Sequence, residues 1–322
     1  MDATSADTLS VIVPAYNEQE VLPEFHRRVT AVLEQLSLRY EVIYVNDGSS
    51  DTTRDVLEAL HQHDGRVAIV DLSRNFGKEV AITAGLDAAK GDAAVIIDAD
   101  LQDPPEVIHQ LVHEWRQGYD VVYAKRTARE GETFVKKATA AMFYALIGRM
   151  THIQIPANVG DFRLLSRRAI DAVTSMREQH RFMKGLFAWI GYRQKEVLYR
   201  RQPRFSGNTK WNYWRLWNFA LEGITSFTTA PLKIATYLGL LTAAAAFCFG
   251  TFIILKTAIY GNPVPGYPSL LVVILFIGGI QLLAIGLIGE YLGRMFDETK
   301  RRPLYLVNTY VPSALSLLSG TE

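Results

Sequence analysis

The stretch Ala93-Ala-Val-Ile-Ile-Asp-Ala-Asp-Leu-Gln-Asp103 decides how the rest of the chain is read. Its first five residues form a short continuous apolar run, the pattern of a strand buried on both faces of a parallel sheet. Three carboxylates follow within six residues. A buried strand that ends this way is costly unless a cation or a polar ligand sits there. If the extended backbone continues, Asp98 and Asp100 point to the same side. Two hard oxygen donors on one side suit Mg²⁺ or Mn²⁺, which complete their shells with water and substrate phosphate. The other reading is a solvated acidic loop capping the helix after Pro104-Pro105, and the surrounding chain has to decide between them.

Outward from this stretch the same grammar repeats. Strands are expected at Leu9–Pro14, Glu41–Val45, Val67–Leu72, Ala93–Ile97 and Asp120–Ala124. Between them Val21, Leu22, Phe25, Val29, Val32, Leu33 and Leu36 recur at helical spacing, with Asn17 and Glu20 resembling a capping box at the start. Further helices are expected up to about Leu60, over Val80–Ala89 and over Pro105–Gln117. The alternation is βαβαβαβαβ, a parallel sheet covered by helices. In such sheets ligands sit at the carboxyl ends of the strands. Tyr16-Asn17-Glu18, Asn46-Asp47-Gly48, Arg74-Asn75 and the aspartates from Asp98 all fall there. Each cluster alone reads as a turn or helix cap; four on one edge point to a site. No dinucleotide fingerprint and no P-loop sequence occurs.

The 322 residues are 49% hydrophobic with a net charge of +1, which argues against a nucleic-acid partner. The apolar residues are unevenly placed. Residues 232–259 and 270–293 are each long enough to cross roughly 30 Å of hydrocarbon. The single cysteine, Cys248, lies in the first of them, which excludes disulfides and cysteine-based metal sites. The N-terminal residues are polar and lack a basic-then-apolar signal. Lys210, Arg215, Lys233, Arg294, Lys300, Arg301 and Arg302 flank one end of the two segments and Lys256 the other, so both termini are expected in the cytoplasm. Trp211, Trp214, Trp217, Leu221, Ile224 and Phe227 form a stripe expected of an interfacial helix, and Phe134–Met150 is a second candidate. Glu290 is expected to snorkel or to pair with Arg294, and Gln281 to hydrogen-bond another helix, across subunits in a homo-oligomer.

Four separated motifs, PAYNE at 14–18, VNDGSSD at 45–51, RNFGKE at 74–79 and DADLQDPPE at 98–106, together resemble family 2 glycosyltransferases of GT-A fold. More narrowly the chain resembles polyisoprenyl-phosphate glycosyltransferases. The text ANVGDFRLLSR at 157–167 and FMKG at 182–185 looks most like bacterial bactoprenol glucosyltransferases. The resemblance implies donor contacts at Pro14, Tyr16, Glu18, Asp47, Asp98 and Gln102, a Mg²⁺ or Mn²⁺ ion on Asp98 and Asp100, and a catalytic role for Asp161. Read by itself, Asp161 is also a strand-end turn residue. Asp103 either caps the helix at Pro104-Pro105 or helps to hold the sugar. Arg200, Arg204 and Lys210 lie in a basic stretch that the resemblance implies closes over phosphates; a solvated juxtamembrane loop is the alternative.

The implied organisation is a GT-A catalytic domain at 1–205, a basic loop and interfacial helix at 206–231, two transmembrane helices at 232–296 and a cytoplasmic tail at 297–322. The implied reaction is inverting transfer of a sugar, glucose by resemblance, from a UDP-sugar to undecaprenyl phosphate at the cytoplasmic face of a bacterial inner membrane. The alternatives are mannose transfer from GDP-mannose to dolichol phosphate, aminoarabinose transfer, or a catalytically silent scaffold.

Overall fold

A computed structural model describes residues 7–127, 159–200, 230–260 and 266–318. The chain divides into two compact units, Met1–Asn218 together with Pro303–Glu322, and Phe219–Arg302.

The first unit is built on apolar strands: β1 (Thr8–Ala15), β2 (Arg39–Asn46), β3 (Val67–Leu72) and β4 (Ala93–Ile96). Almost every residue in them is buried, because helices cover both faces of the sheet. β1 pairs in parallel with β2 and β4, and β2 with β3. The intervening helices are α1 (Leu22–Leu33), α2 (Thr53–His63) and α3 (Lys78–Ala88), with α4 (Ile108–Arg116) following β4. On α1 the buried side chains are Leu22, Phe25, Val29, Val32 and Leu33, the stripe its periodicity dictates. The expected capping box is absent. The residue before α1 is Val21, which has no side-chain cap, and Asn17 lies outside the helix with φ of 56°.

The far side of the sheet departs from a simple parallel order. β5 (Val121–Arg126) does not lie beside β4, because β6 (Val159–Ser166) runs between them, antiparallel to both. Helices α5 (Arg167–Ser175) and α6 (Met183–Trp189) lead to β7 (Gln194–Tyr199), which pairs in parallel with β5. Among the described residues only β6 and one further strand oppose the common direction, so the sheet is mostly parallel.

That further strand comes from the segment expected to be a tail. β8 (Val307–Val311) pairs antiparallel with β3 and completes the order β7-β5-β6-β4-β1-β2-β3-β8. Side chains and backbone around it fasten it in place. Asn308 Nδ2 donates to Asp71 at 2.9 Å, the Tyr305 hydroxyl to Asp87 at 2.6 Å and Ser313 Oγ to buried Glu41 at 2.5 Å. Residues 303–318 therefore belong to the first unit.

The second unit contains α7 (Ala230–Tyr260) and α8 (Tyr267–Thr299). Within them Ala235–Tyr260 and Phe276–Thr299 are long and apolar enough to cross a membrane. Large apolar side chains such as Leu240, Phe247, Phe276 and Leu282 are exposed on these helices. Glu290 pairs with Arg294 at 3.2 Å, one of the two expected arrangements, and Gln281 is exposed on its helix. The two expected interfacial helices, at 134–150 and 211–227, lie outside the described residues.

Candidate active site

The loops after β1, β2 and β3 are tied into one piece. Asn17 adopts the left-handed conformation that asparagine tolerates. Its Oδ1 accepts from the Ser50 amide at 2.9 Å, and its own amide donates to Ser49 Oγ at 3.0 Å. Asp47, only 3% exposed, spends both carboxylate oxygens on the loop after β3. They accept from the amides of Phe76 at 2.7 Å and Gly77 at 3.0 Å. Burial pushes the Asp47 carboxyl up, opposed by those two amides and by Arg74. The same loop crosses directly over Gly48. A Cβ there would lie 2.3 Å from the Arg74 carbonyl carbon, and its φ of 64° already favours glycine. Tyr16 is 44% exposed above this piece, while Pro14 and Glu18 are half-buried. The Glu18 amide donates to Thr53 Oγ1 at 2.9 Å.

The next loop does not continue as a strand. β4 stops at Ile96, the chain turns at Ala99-Asp100, and Leu101 has φ of 57°. The expectation that alternation along an extended backbone places Asp98 and Asp100 together is therefore corrected. A turn, and not strand pleat, brings this segment round, and the Gln102 amide donates to Asp100 Oδ1 at 3.1 Å.

The centre of the site is a lysine. Lys78 Nζ lies 2.7 Å from Asp98 Oδ1 and donates to Asp98 Oδ2 at 2.8 Å and to Asp161 Oδ2 at 2.6 Å. One ammonium thus joins the end of β4 to Asp161 on β6, two residues 63 positions apart in the chain. Burial works to lower the Lys78 pKa, but the two carboxylates outweigh it and hold it well above the ordinary lysine value. Burial likewise works to raise the Asp161 carboxyl, yet Lys78, Lys184 and Arg163 hold it well below the carboxylate range. For Asp98 burial prevails over Lys78, and its pKa is raised.

A second layer supports this pair. Arg163 is buried, stacks on the Phe187 ring at 4.0 Å and donates to the Gly160 carbonyl at 2.8 Å. Glu79 accepts from the Met183 amide at 3.0 Å, fastening the start of α6, and with it Lys184, to the start of α3. Asp161 Oδ1 is buried and has no hydrogen-bond partner among the described residues. Asp103 is buried as well and accepts from the Tyr199 hydroxyl, which in turn accepts from Arg126 at 3.2 Å. The residue before the turn beginning at Pro105 is Pro104, whose side chain offers no cap. Arg200 is exposed just past β7; Arg204 and Lys210 lie outside the described residues.

Lys78, Glu79, Arg163 and Lys184 lie within the motifs quoted from the sequence, but the sequence reading assigned them no role. The available signal was a lysine at the first position of a helix, the end where the macrodipole disfavours a cation. Such a lysine calls for a carboxylate partner.

The donor set can be weighed against a divalent ion. Among the described residues no group of three carboxylate, imidazole or thiol side chains gathers in a metal-holding arrangement. Two carboxylates suffice for Mg²⁺ or Mn²⁺ when phosphate and water supply the rest. Asp98, already in contact with a cationic group, and Asp100 on the adjoining turn provide hard oxygen atoms of the right kind.

The sequence has counterparts among known proteins. The profile of glycosyl transferase family 2 matches residues 10–174, and that of the GtrB C-terminal hairpin matches residues 230–295. The chain is 57% identical to an uncharacterised glycosyltransferase of Synechocystis, over 93% of this chain and 94% of that one. It is 49% identical to a prophage bactoprenol glucosyl transferase homologue of Escherichia coli, over 93% and 98% of the two chains. It is 46% identical to the bactoprenol glucosyl transferase of Shigella phage SfV, over 93% and 97%. With the family profile covering half its length and these relatives nearly all of it, the chain belongs to glycosyl transferase family 2, as a glycosyltransferase of GT-A fold with a GtrB-type C-terminal hairpin.

Proposed function

We propose that this enzyme transfers a hexosyl group, glucose, from a UDP-sugar to a polyisoprenyl phosphate at the cytoplasmic face of a bacterial membrane, with inversion at the anomeric carbon. The observation that carries the proposal is the meeting of Asp98 and Asp161 on one ammonium at the carboxyl edge of the sheet. The similarity to bactoprenol glucosyl transferases supplies the acceptor class and the sugar.

The proposed roles follow the site. Pro14, Tyr16, Glu18, Asp47 and Gln102 face the donor nucleotide and sugar. Asp98 and Asp100 would hold Mg²⁺ or Mn²⁺, whose charge neutralises a departing diphosphate. Arg200, with Arg204 and Lys210, serves the phosphates. A phosphate monoester has its second pKa near ~6, so the acceptor is already largely a nucleophile at neutral pH. Asp161 agrees with that: a carboxyl held well below its ordinary range is a poor base. Its proposed work is to orient the acceptor through Lys78 and Lys184. The apolar helices α7 and α8 would carry the bilayer attachment, with both termini on the cytoplasmic side by the distribution of lysine and arginine.

The test is a donor panel of UDP-glucose, UDP-galactose, UDP-N-acetylglucosamine and GDP-mannose, offered to the purified protein with undecaprenyl phosphate. Lipid-linked glucose is the expected product; transfer from GDP-mannose alone would replace this reading with the mannose-transfer one. Asp161→Asn is expected to lower turnover by about 10²-fold, the cost of misplacing a reacting group, with UDP-glucose binding retained. Near-normal turnover would remove Asp161 from the reaction.

A further inference from the structure

The Asp98 carboxylate has both oxygen atoms in contact with Lys78, at 2.7 and 2.8 Å. We infer that the Lys78 ammonium is a resident counter-cation that a divalent metal has to displace from Asp98, so that lysine and metal exclude each other at that carboxylate. The inference rests on the proposed metal role of Asp98.

Three observations carry it. First, Lys78 is the opening residue of α3, where the helix dipole offers a cation nothing favourable. Its position there is explained by the two carboxylates it reaches. Second, a divalent ion binding one Asp98 oxygen would crowd two like charges onto a single carboxylate, where they repel strongly. Both cannot stay. Third, Lys78 has a way to leave. Its side chain is 42% exposed, and its bond to Asp161 at 2.6 Å is a second anchor independent of Asp98. Swung off Asp98 but held by Asp161, the ammonium turns its remaining N–H groups toward an incoming phosphoryl oxygen. Arrival of the metal would then place a second cation beside the acceptor, and the site would bind metal weakly until a diphosphate shares the load.

The experiment uses full-length protein in detergent, with Mn²⁺ alone as the probe and free Mn²⁺ followed by electron paramagnetic resonance. Lys78→Met is expected to bind Mn²⁺ at least about tenfold tighter than wild type, a conservative fraction of the repulsion removed. Lys78→Arg, which keeps the charge, is expected to stay near the wild-type affinity, and adding Asp98→Asn to Lys78→Met to abolish the gain. Thermal unfolding followed by circular dichroism verifies that each variant is folded. Equal or weaker Mn²⁺ binding by folded Lys78→Met overturns the inference. A parallel titration with UDP present separates the two readings. If wild type takes up Mn²⁺ beyond what UDP alone binds and Asp98→Asn does not, while Lys78→Met gains nothing, the metal role of Asp98 stands and only the lysine exchange falls. If no protein takes up Mn²⁺ with or without UDP, both fall.

Discussion

Glu79 sits one residue beyond Lys78 and faces the inside of the same site. Burial raises its pKa, Asp161 adds to the effect, and Lys78, the Met183 amide and Lys184 oppose it; the result is a carboxyl near pH 7 instead of about 4.5. The folded state therefore binds this proton more tightly than the unfolded chain. Stability contributed by the protonated form is complete below pH 4.5 and is lost as the pH rises through 7. Glu79→Gln stays neutral and can still accept from Met183. The melting temperature of that variant relative to wild type should rise from pH 5 to pH 8, and a constant difference across that range would mean the shift is absent. Residue-level reading of the sequence singled out Asp98 and Asp100, because carboxylates at a strand end demand explanation, while Asp161 came from the family resemblance and reads by itself as a turn residue. It quoted Lys78 and Glu79 within RNFGKE but gave them no role, since their helical position hides it. Their significance depends on Asp161, which reaches them only through the strand order.

Among the elements, the first four strands and their helices were legible because each carries its own signature: an apolar run of strand length, then helical spacing. β6 and β8 were not, since which strand a segment pairs with is settled by distant partners. Val307–Val311 is a five-residue strand that begins beyond Lys300-Arg-Arg302, and nothing local marks it as part of the sheet. The anchoring of its far end is testable. Glu41 is fully buried and accepts from Ser10 Oγ at 2.7 Å, the Lys90 amide at 3.0 Å and Ser313 Oγ at 2.5 Å. Ser313→Ala removes one donor from a buried carboxylate and should cost about 1–3 kcal/mol in chemical denaturation. A change within experimental error would show that the Ser313 contact adds nothing to the anchoring of β8.

At the scale of the whole molecule, two long helices with outward apolar side chains have to be covered by something apolar. The expected outcome is that the protein sediments with membranes and resists extraction at alkaline pH, being released only by detergent. Release by carbonate or high salt would show that neither helix spans. The returning strand has a consequence in time as well as in space. A ribosome makes β1 to β7 first, both apolar helices next, and β8 last. Until the hairpin has been translated, β3 presents an unpaired backbone edge, the kind that recruits strands from neighbouring chains. A nascent chain that stalls inside the hairpin would therefore carry every catalytic candidate and still be prone to aggregate, because the residues that close its sheet have not yet been made.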